Sequence, residues 1–202
     1  YGTLQLGWNG MVYVDGTVRN DWSSQLAFTP NQSVCYYSVG LSGVISSMAD
    51  LSGAGISFLK VRGSYSTAGN PPQRFITGVN TPLTVGGNIS SDTSAPAKNL
   101  KPELTKSYEA GLNVKFLEDM FDLDVTYYNA TTYNQLFQYD AAPSTGSKQA
   151  YINAGKVNNY GVELSFGFKH TWRNFFWGST VTWSMNRNKI KELVPEGTLD
   201  VT

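Results

Sequence analysis

Cysteine and histidine are almost missing: the 202 residues hold one of each, Cys35 and His170. A single thiol excludes an internal disulfide framework, and one cysteine with one histidine excludes zinc centres built from Cys/His clusters. Any Ser-His-Asp or Cys-His pair would have to use His170. It lies in the polar stretch Lys169-His170-Thr171-Trp172-Arg173, which reads as a turn between two strands. Cys35, in Val34-Cys35-Tyr36-Tyr37, reads as a small strand residue. Charge is also scarce, at 15% of the chain against about 25% in ordinary soluble domains. Fifteen basic and fifteen acidic side chains cancel, which removes the electrostatic basis for binding nucleic acid. No apolar run approaches the roughly 18 residues of a membrane-spanning helix. What the chain does have is aromatics and glycine: twelve Tyr, ten Phe, five Trp and twenty Gly. That composition fits a soluble β protein or a membrane β-barrel.

Alternation with a period of two dominates. From Ser107 to Phe116, residues Tyr108, Ala110, Leu112, Val114 and Phe116 share one stripe, and Ser107, Glu109, Gly111, Asn113 and Lys115 the other. Phe121 to Tyr128, Tyr160 to Lys169 and Phe175 to Asn186 repeat the pattern. Noisier runs cover Leu4–Trp8, Val12–Asp21, Cys35–Ile45 and Leu59–Tyr65, which makes eight predicted strands. Asn9-Gly10 fits a two-residue type I′ hairpin, since both positions need positive φ. Short connections at 117–120 and 170–174 alternate with long ones at about 22–33, 67–105 and 134–157. Compact domains rarely carry loops beyond about 12–15 residues. An up-and-down outer-membrane barrel does, with short periplasmic turns and long external loops.

Strand length and face chemistry agree with that reading. Eleven residues tilted about 40° climb roughly 28 Å, close to the ~25 Å apolar band of such barrels. Apolar stripes end in aromatics (Tyr108 and Phe116, Phe121 and Tyr127, Tyr160 and Phe168, Phe175 and Trp183), as interfacial girdles do. Leu112, Val114, Leu123, Val125, Leu164, Phe166 and Val181 are expected to face lipid. Glu109, Asn113, Asp124, Glu163, Thr180 and Thr182 are expected to face the lumen. Asp122 and Asp124, same-face neighbours about 6.6–7 Å apart, are spaced like the carboxylate pair of a glycosidase. Nothing around them in the sequence makes one a proton donor, and no catalytic, metal or cofactor site is expected. Tyr133, Gln135, Phe137 and Tyr139 read as a strand extension beyond membrane height. Aromatic faces stack on sugar rings and amides hydrogen-bond hydroxyls, so these four are candidate ligand contacts. Arg74, Phe75 and Asn80 in the longest loop are further candidates.

Four stretches carry a resemblance to the SusC/RagA branch of the TonB-dependent outer-membrane transporters. They are Ile56 to Tyr65 (ISFLKVRGSY) running on to Ala68-Gly69-Asn70, Leu100 to Leu112 (LKPELTKSYEAGL), Asn153 to Leu164 (NAGKVNNYGVEL), and Val18 to Ser24 (VRNDWSS). Their order and spacing match that family across nearly the whole chain. The resemblance implies a barrel of about 22 strands with a plugged lumen, in the outer membrane of a Bacteroidetes-type Gram-negative cell. It implies that residues 1–202 are part of one barrel domain whose plug and remaining strands lie outside this chain. It also implies energy from TonB acting through an N-terminal region, and a SusD-like surface lipoprotein as partner. The expected function is active import of a bulky nutrient, an oligosaccharide in the first reading. An oligopeptide importer of the RagA type is the alternative. A third reading, from a different class, is a non-transporting surface adhesin or β-sandwich binding module, with its apolar stripes buried in a soluble core.

Overall fold

An apolar stripe at every second residue cannot be covered within one strand. Side-by-side pairing merges the stripes into a common face and satisfies the backbone at the same time. The computed structural model describes residues 1–74, 76–77, 83–85, 88–90, 99–141 and 149–193, with the backbone alone for 83–85 and 88–90. Strands follow in the order β1 (Gly2–Trp8), β2 (Val12–Trp22), β3 (Ser33–Val44), β4 (Ile56–Asn70), β5 (Leu83–Val85) and β6 (Asn88–Ser90). Then come β7 (Glu103–Phe116), β8 (Phe121–Tyr133), β9 (Leu136–Asp140), β10 (Gln149–Asn153), β11 (Lys156–Trp172) and β12 (Phe175–Glu192). Eight of these form one sheet in the order β1-β2-β3-β4-β7-β8-β11-β12, with every pairing antiparallel. They are the eight strands that the alternation picks out. The pairs β5–β6 and β9–β10 are separate hairpins. β1 and β12 are the sheet's edges, so it does not close on itself. No α-helix occurs among the described residues, only three short 3₁₀ turns at 24–26, 45–47 and 52–54.

Because every neighbour is antiparallel, the connections sort to two ends. One end holds the short turns 9–11, 45–55, 117–120 and 173–174; the other holds 23–32, 71–102 and 134–155. Asn9 and Gly10 have φ of 50° and 69° as the hairpin requires. The Met11 amide donates to the Trp8 carbonyl at 2.9 Å while Trp8 pairs with Val12, so a third, bulged residue joins the expected two. In the 45–55 turn the Ser52 amide donates to Asp50 Oδ1 at 3.0 Å, which holds the Asp50 carboxyl below the usual carboxylate range. His170 is not in a turn. It pairs with Trp177 inside the β11–β12 ladder, its ring 4.5 Å from that of Trp172. The alternation simply continues through Phe168, His170 and Trp172, and Arg173, at φ 54°, makes the turn instead.

Register fixes which residues share a face. Val61, Leu112, Val125, Leu164 and Trp183 are successive partners in one row, and Leu59, Val114, Leu123, Phe166 and Val181 in the next. The opposite face carries the rows Lys60-Asn113-Asp124-Ser165-Thr182 and Lys115-Asp122-Gly167-Thr180, with Glu109 and Glu163 on the same side. Aromatics gather at both ends of the apolar face. The rings of Tyr37, Tyr65 and Tyr108 pack in tilted pairs at 5.8 and 4.9 Å toward the long loops. By the short turns Phe116 stacks on Phe121 at 5.1 Å and Phe168 packs tilted against Phe121 at 5.2 Å, next to Trp172 and Phe175 at 6.2 Å. Eight residues separate Tyr108 from Phe116 on β7, a climb of about 20 Å. Trp183 is not at a strand end, because β12 continues to Glu192 and sets it opposite Leu164 in mid-sheet.

Among the described residues nothing covers the apolar face. Val39, Leu41, Val181 and Trp183 are all more than half exposed. A β-sandwich would cover such a face with a second sheet about 10 Å away; among the described residues none lies there. The buried apolar cluster sits elsewhere, beneath the long loops, where Leu26, Ile76 and Leu100 pack with Leu136 and Tyr151.

Candidate functional site

The polar face is organised around one arginine. Arg62 on β4 reaches across β7 to Asp124 on β8, donating from Nη1 to Oδ2 at 3.0 Å and from Nη2 to Oδ1 at 2.8 Å. Its Nη2 also donates to Thr126 Oγ1 at 2.6 Å. The intervening β7 position is Gly111, and a Cβ there would meet the Arg62 side chain at 2.5–2.9 Å. The glycine is therefore the saddle over which the guanidinium passes. Asn113 donates to both Asp122 and Asp124 at 3.2 Å, and Lys115 Nζ lies 4.0 Å from Asp122. Asp122 and Asp124 thus share a face as expected, each engaged by amide and cationic neighbours. A bidentate Arg–carboxylate pair fixes geometry as well as charge, and here it ties three strands together.

Toward the long loops the same face opens into a cleft of about 1000 Å³. Arg19, Asp21, Gln25, Tyr36 and Arg74 are among its lining residues. Arg19 Nε donates to Asp21 Oδ1 at 2.6 Å. Tyr36, opposite Arg19 in the β2–β3 register, lies against Gly69 of β4, where a Cβ would collide with its ring and hydroxyl. The loop that walls the cleft is pinned. Ser23 N donates to the Gln32 carbonyl at 3.0 Å, Thr77 Oγ1 to the Gln25 carbonyl at 3.3 Å, and Leu26 anchors the buried cluster beneath. An aromatic face beside guanidinium, carboxylate and amide groups suits a polar, polyfunctional solute.

Of the ligand contacts expected from sequence, Arg74 lies in this cleft, whereas Phe75 and Asn80 lie outside the described residues. The segment 133–140 does not extend β8. Asn134 takes φ 57° and breaks the strand, after which β9 turns to pair with β10. Tyr133 remains on the apolar face with Lys106 and Lys156 over its ring at 5.4 and 4.9 Å. Phe137 packs at Gly155, where a Cβ would lie 2.7 Å from its ring, and Tyr139 is 41% exposed. The backbone carbonyl of Gln135 accepts from Ala154 N at 2.9 Å. The four residues are therefore not gathered on one surface.

Sequence reasoning passed over Arg19, Asp21, Gln25 and Tyr36. Their signal was present, since Arg19 and Asp21 occupy the polar stripe of β2 at i, i+2 and Tyr36 that of β3. It also passed over the clamp beneath the β9–β10 hairpin. Glu103 Oε1 accepts from Leu136 N at 3.1 Å. Asn153 Oδ1 accepts from Lys101 N at 2.7 Å, and its Nδ2 donates to the carbonyls of Lys101 and Asn134 at 2.8 and 2.9 Å.

Residues 1–200 match the family model described as TonB dependent receptor-like, beta-barrel. TonB-dependent receptor P3 of Formosa agariphila is 29% identical over 146 residues, 68% of this chain and 14% of that protein. TonB-dependent receptor P26 of the same organism is 29% identical over 143 residues, 67% and 14% of the two chains. This chain therefore spans about one-seventh of the length of these relatives. Among solved structures, the RagAB peptide importer in its closed-closed state superposes with a TM-score of 0.80 at 25% identity, over 95% of this chain and 22% of that one. Its open-open state gives 0.83 at 24% identity, over 95% and 21%.

Proposed function

This chain belongs to the TonB-dependent receptor β-barrel family, whose members reside in the outer membrane, and from that premise we propose that it forms part of the wall of an active importer. The observation that carries the reading is the single-layer sheet with its apolar face uncovered between two aromatic belts. In this reading the stripe Leu112, Val114, Leu123, Val125, Leu164, Phe166 and Val181 meets lipid. Glu109, Asn113, Asp124, Glu163, Thr180 and Thr182 line the lumen. The short turns lie on the periplasmic side and the cleft opens to the exterior. Transport is powered by TonB through a plug that occupies the lumen, and a SusD-like lipoprotein covers the mouth; both follow from the family resemblance. The chain's own part is to bind and guide.

The solute in this proposal is an oligosaccharide, supported by the ring of Tyr36 beside the Gln25 amide and the Arg19–Asp21 pair. A peptide is the second reading, favoured by the name of the similar solved importer and by charges at the mouth that can meet peptide termini. Replacing Tyr36 and Arg19 together with alanine removes one stacking face and one charged hydrogen-bond donor, so solute affinity should fall on the order of tenfold. Uptake of labelled oligosaccharides and labelled peptides by whole cells, over a range of concentrations, measures it. A raised half-saturation for one class alone identifies the cargo. Unimpaired uptake of both classes after deletion of the gene contradicts import.

A further inference from the structure

Among the described strands, the apolar face carries its charge in three successive rows at the long-loop end, and it is nearly all of one sign. Arg187 on β12 lies in the tyrosine row itself, Lys106 on β7 and Lys189 on β12 share the next row toward the long loops, and Lys156 on β11 lies in the row after that. Lys106 is two residues past Tyr108 on the same stripe, and Arg187 pairs with Tyr160. Ten residues separate Lys106 from Phe116 at the other belt, a climb of about 25 Å and so the height of the apolar band. The four bases therefore straddle the level where the band ends on the external side, Arg187 at the tyrosine belt and the other three beyond it. They span four adjacent strands, about 15 Å across.

Three further observations set this group apart. The three ion pairs among the described residues, Arg19–Asp21, Arg62–Asp124 and Lys115–Asp122, all lie on the polar face. Among the described residues in the rows of the apolar face, one acid accompanies the four bases: Glu192, opposite Lys156 across a bulge. Two of the ammonium groups are held, Lys106 and Lys156 both resting on the Tyr133 ring. At the edge of the apolar band a lysine or arginine costs little, and a cluster of bases there attracts anionic headgroups.

We propose that Lys106, Lys156, Arg187 and Lys189, with Tyr133, form a binding site for the phosphorylated headgroup of an outer-leaflet glycolipid. The acyl chains of that lipid lie down the apolar stripe below, while its phosphates meet the bases. The site rests on the lipid-facing assignment of that stripe, and it holds membrane lipid, not the imported solute.

The test reconstitutes the protein purified from its own outer membrane into phosphatidylcholine nanodiscs. Diphosphorylated lipid A, or the same lipid after enzymatic dephosphorylation, is titrated in and retained lipid is counted by native mass spectrometry. The wild type should retain the phosphorylated lipid on the order of tenfold better. The Lys106→Gln, Lys156→Gln, Arg187→Gln, Lys189→Gln variant should lose that preference while its heat-modifiable gel shift stays unchanged. A second variant, Lys60→Gln with Lys169→Gln on the polar face, should keep it. A preference surviving in the quadruple variant overturns the site, as does equal retention of both lipids by the wild type. Full displacement by millimolar inorganic phosphate shows a bare anion site and overturns the lipid assignment. Failure of the wild type to enter nanodiscs overturns the lipid-facing reading itself, which separates the two failures.

Discussion

Replacing Leu112 with lysine should destabilise the folded barrel by about 2–4 kcal/mol, whereas the same change at Asn113 should cost about 1 kcal/mol or less. The two residues are adjacent on β7 but point to opposite faces. Leu112 sits in the row Val61-Leu112-Val125-Leu164-Trp183, midway between the tyrosine and phenylalanine belts. Its position is too deep for a lysine stem to bring the ammonium to either interface. Asn113 sits among Lys60, Asp122 and Asp124, where a new cation finds carboxylates and water. Denaturant titration of the protein refolded into lipid vesicles reads both values. Equal costs at the two sites would mean that the faces are assigned wrongly.

Gly111→Val should destabilise the folded barrel by about 1–3 kcal/mol. A side chain there occupies the path of Arg62, whose side-chain atoms already come within 2.5–2.9 Å of the place a Cβ would take. Arg62 must leave, and Asp124 then loses both bonds of its bidentate partner. Hydrogen bonds to charged groups are worth about 1.5–3 kcal/mol when buried. Both side chains here are about one-third exposed, so solvent screening argues for the lower part of that range. The effect is conditional, which gives it a sharp control. In an Arg62→Ala background the guanidinium and stem atoms nearest to Gly111 are gone, and the valine should cost much less. A double-mutant cycle measures the coupling, and full additivity would show that the saddle has no such role.

How much of this was written in the sequence depends on the range of the interaction. The strands were legible because alternation is local; each of the eight follows from its own residues. The polar and apolar memberships of Leu112 and Asn113 follow for the same reason. His170 and Trp183 were misplaced because strand ends are set by the partner strand: β11 and β12 pair across seventeen rows, well past where the alternation looks cleanest. The segment 133–140 was read as continuous because its aromatics alternate, but one left-handed residue, Asn134, redirects it. The cleft was the least legible part. It joins Arg19 and Tyr36 to Arg74 and Gly69, positions brought together only by the β2–β3–β4 pairing and a long loop. The stretches carrying the family resemblance acquire a physical reason as well. Leu100 to Glu103 and Asn153 to Gly155 are distant in sequence, yet they clamp one another through Lys101, Asn153 and Leu136, with Leu100 buried beneath.

The central claim is that one face of this sheet meets lipid and the other meets water. Single cysteines placed in turn from Ser107 to Phe116, in a Cys35→Ser background, test it most directly. Intact cells are treated with a membrane-impermeant maleimide and, separately, with a lipid-dissolved one. The account predicts a two-residue alternation: Ser107, Glu109, Gly111, Asn113 and Lys115 labelled from water, and Ala110, Leu112 and Val114 labelled from lipid alone. Water labelling at every position, or the alternation with its phase reversed, would contradict it.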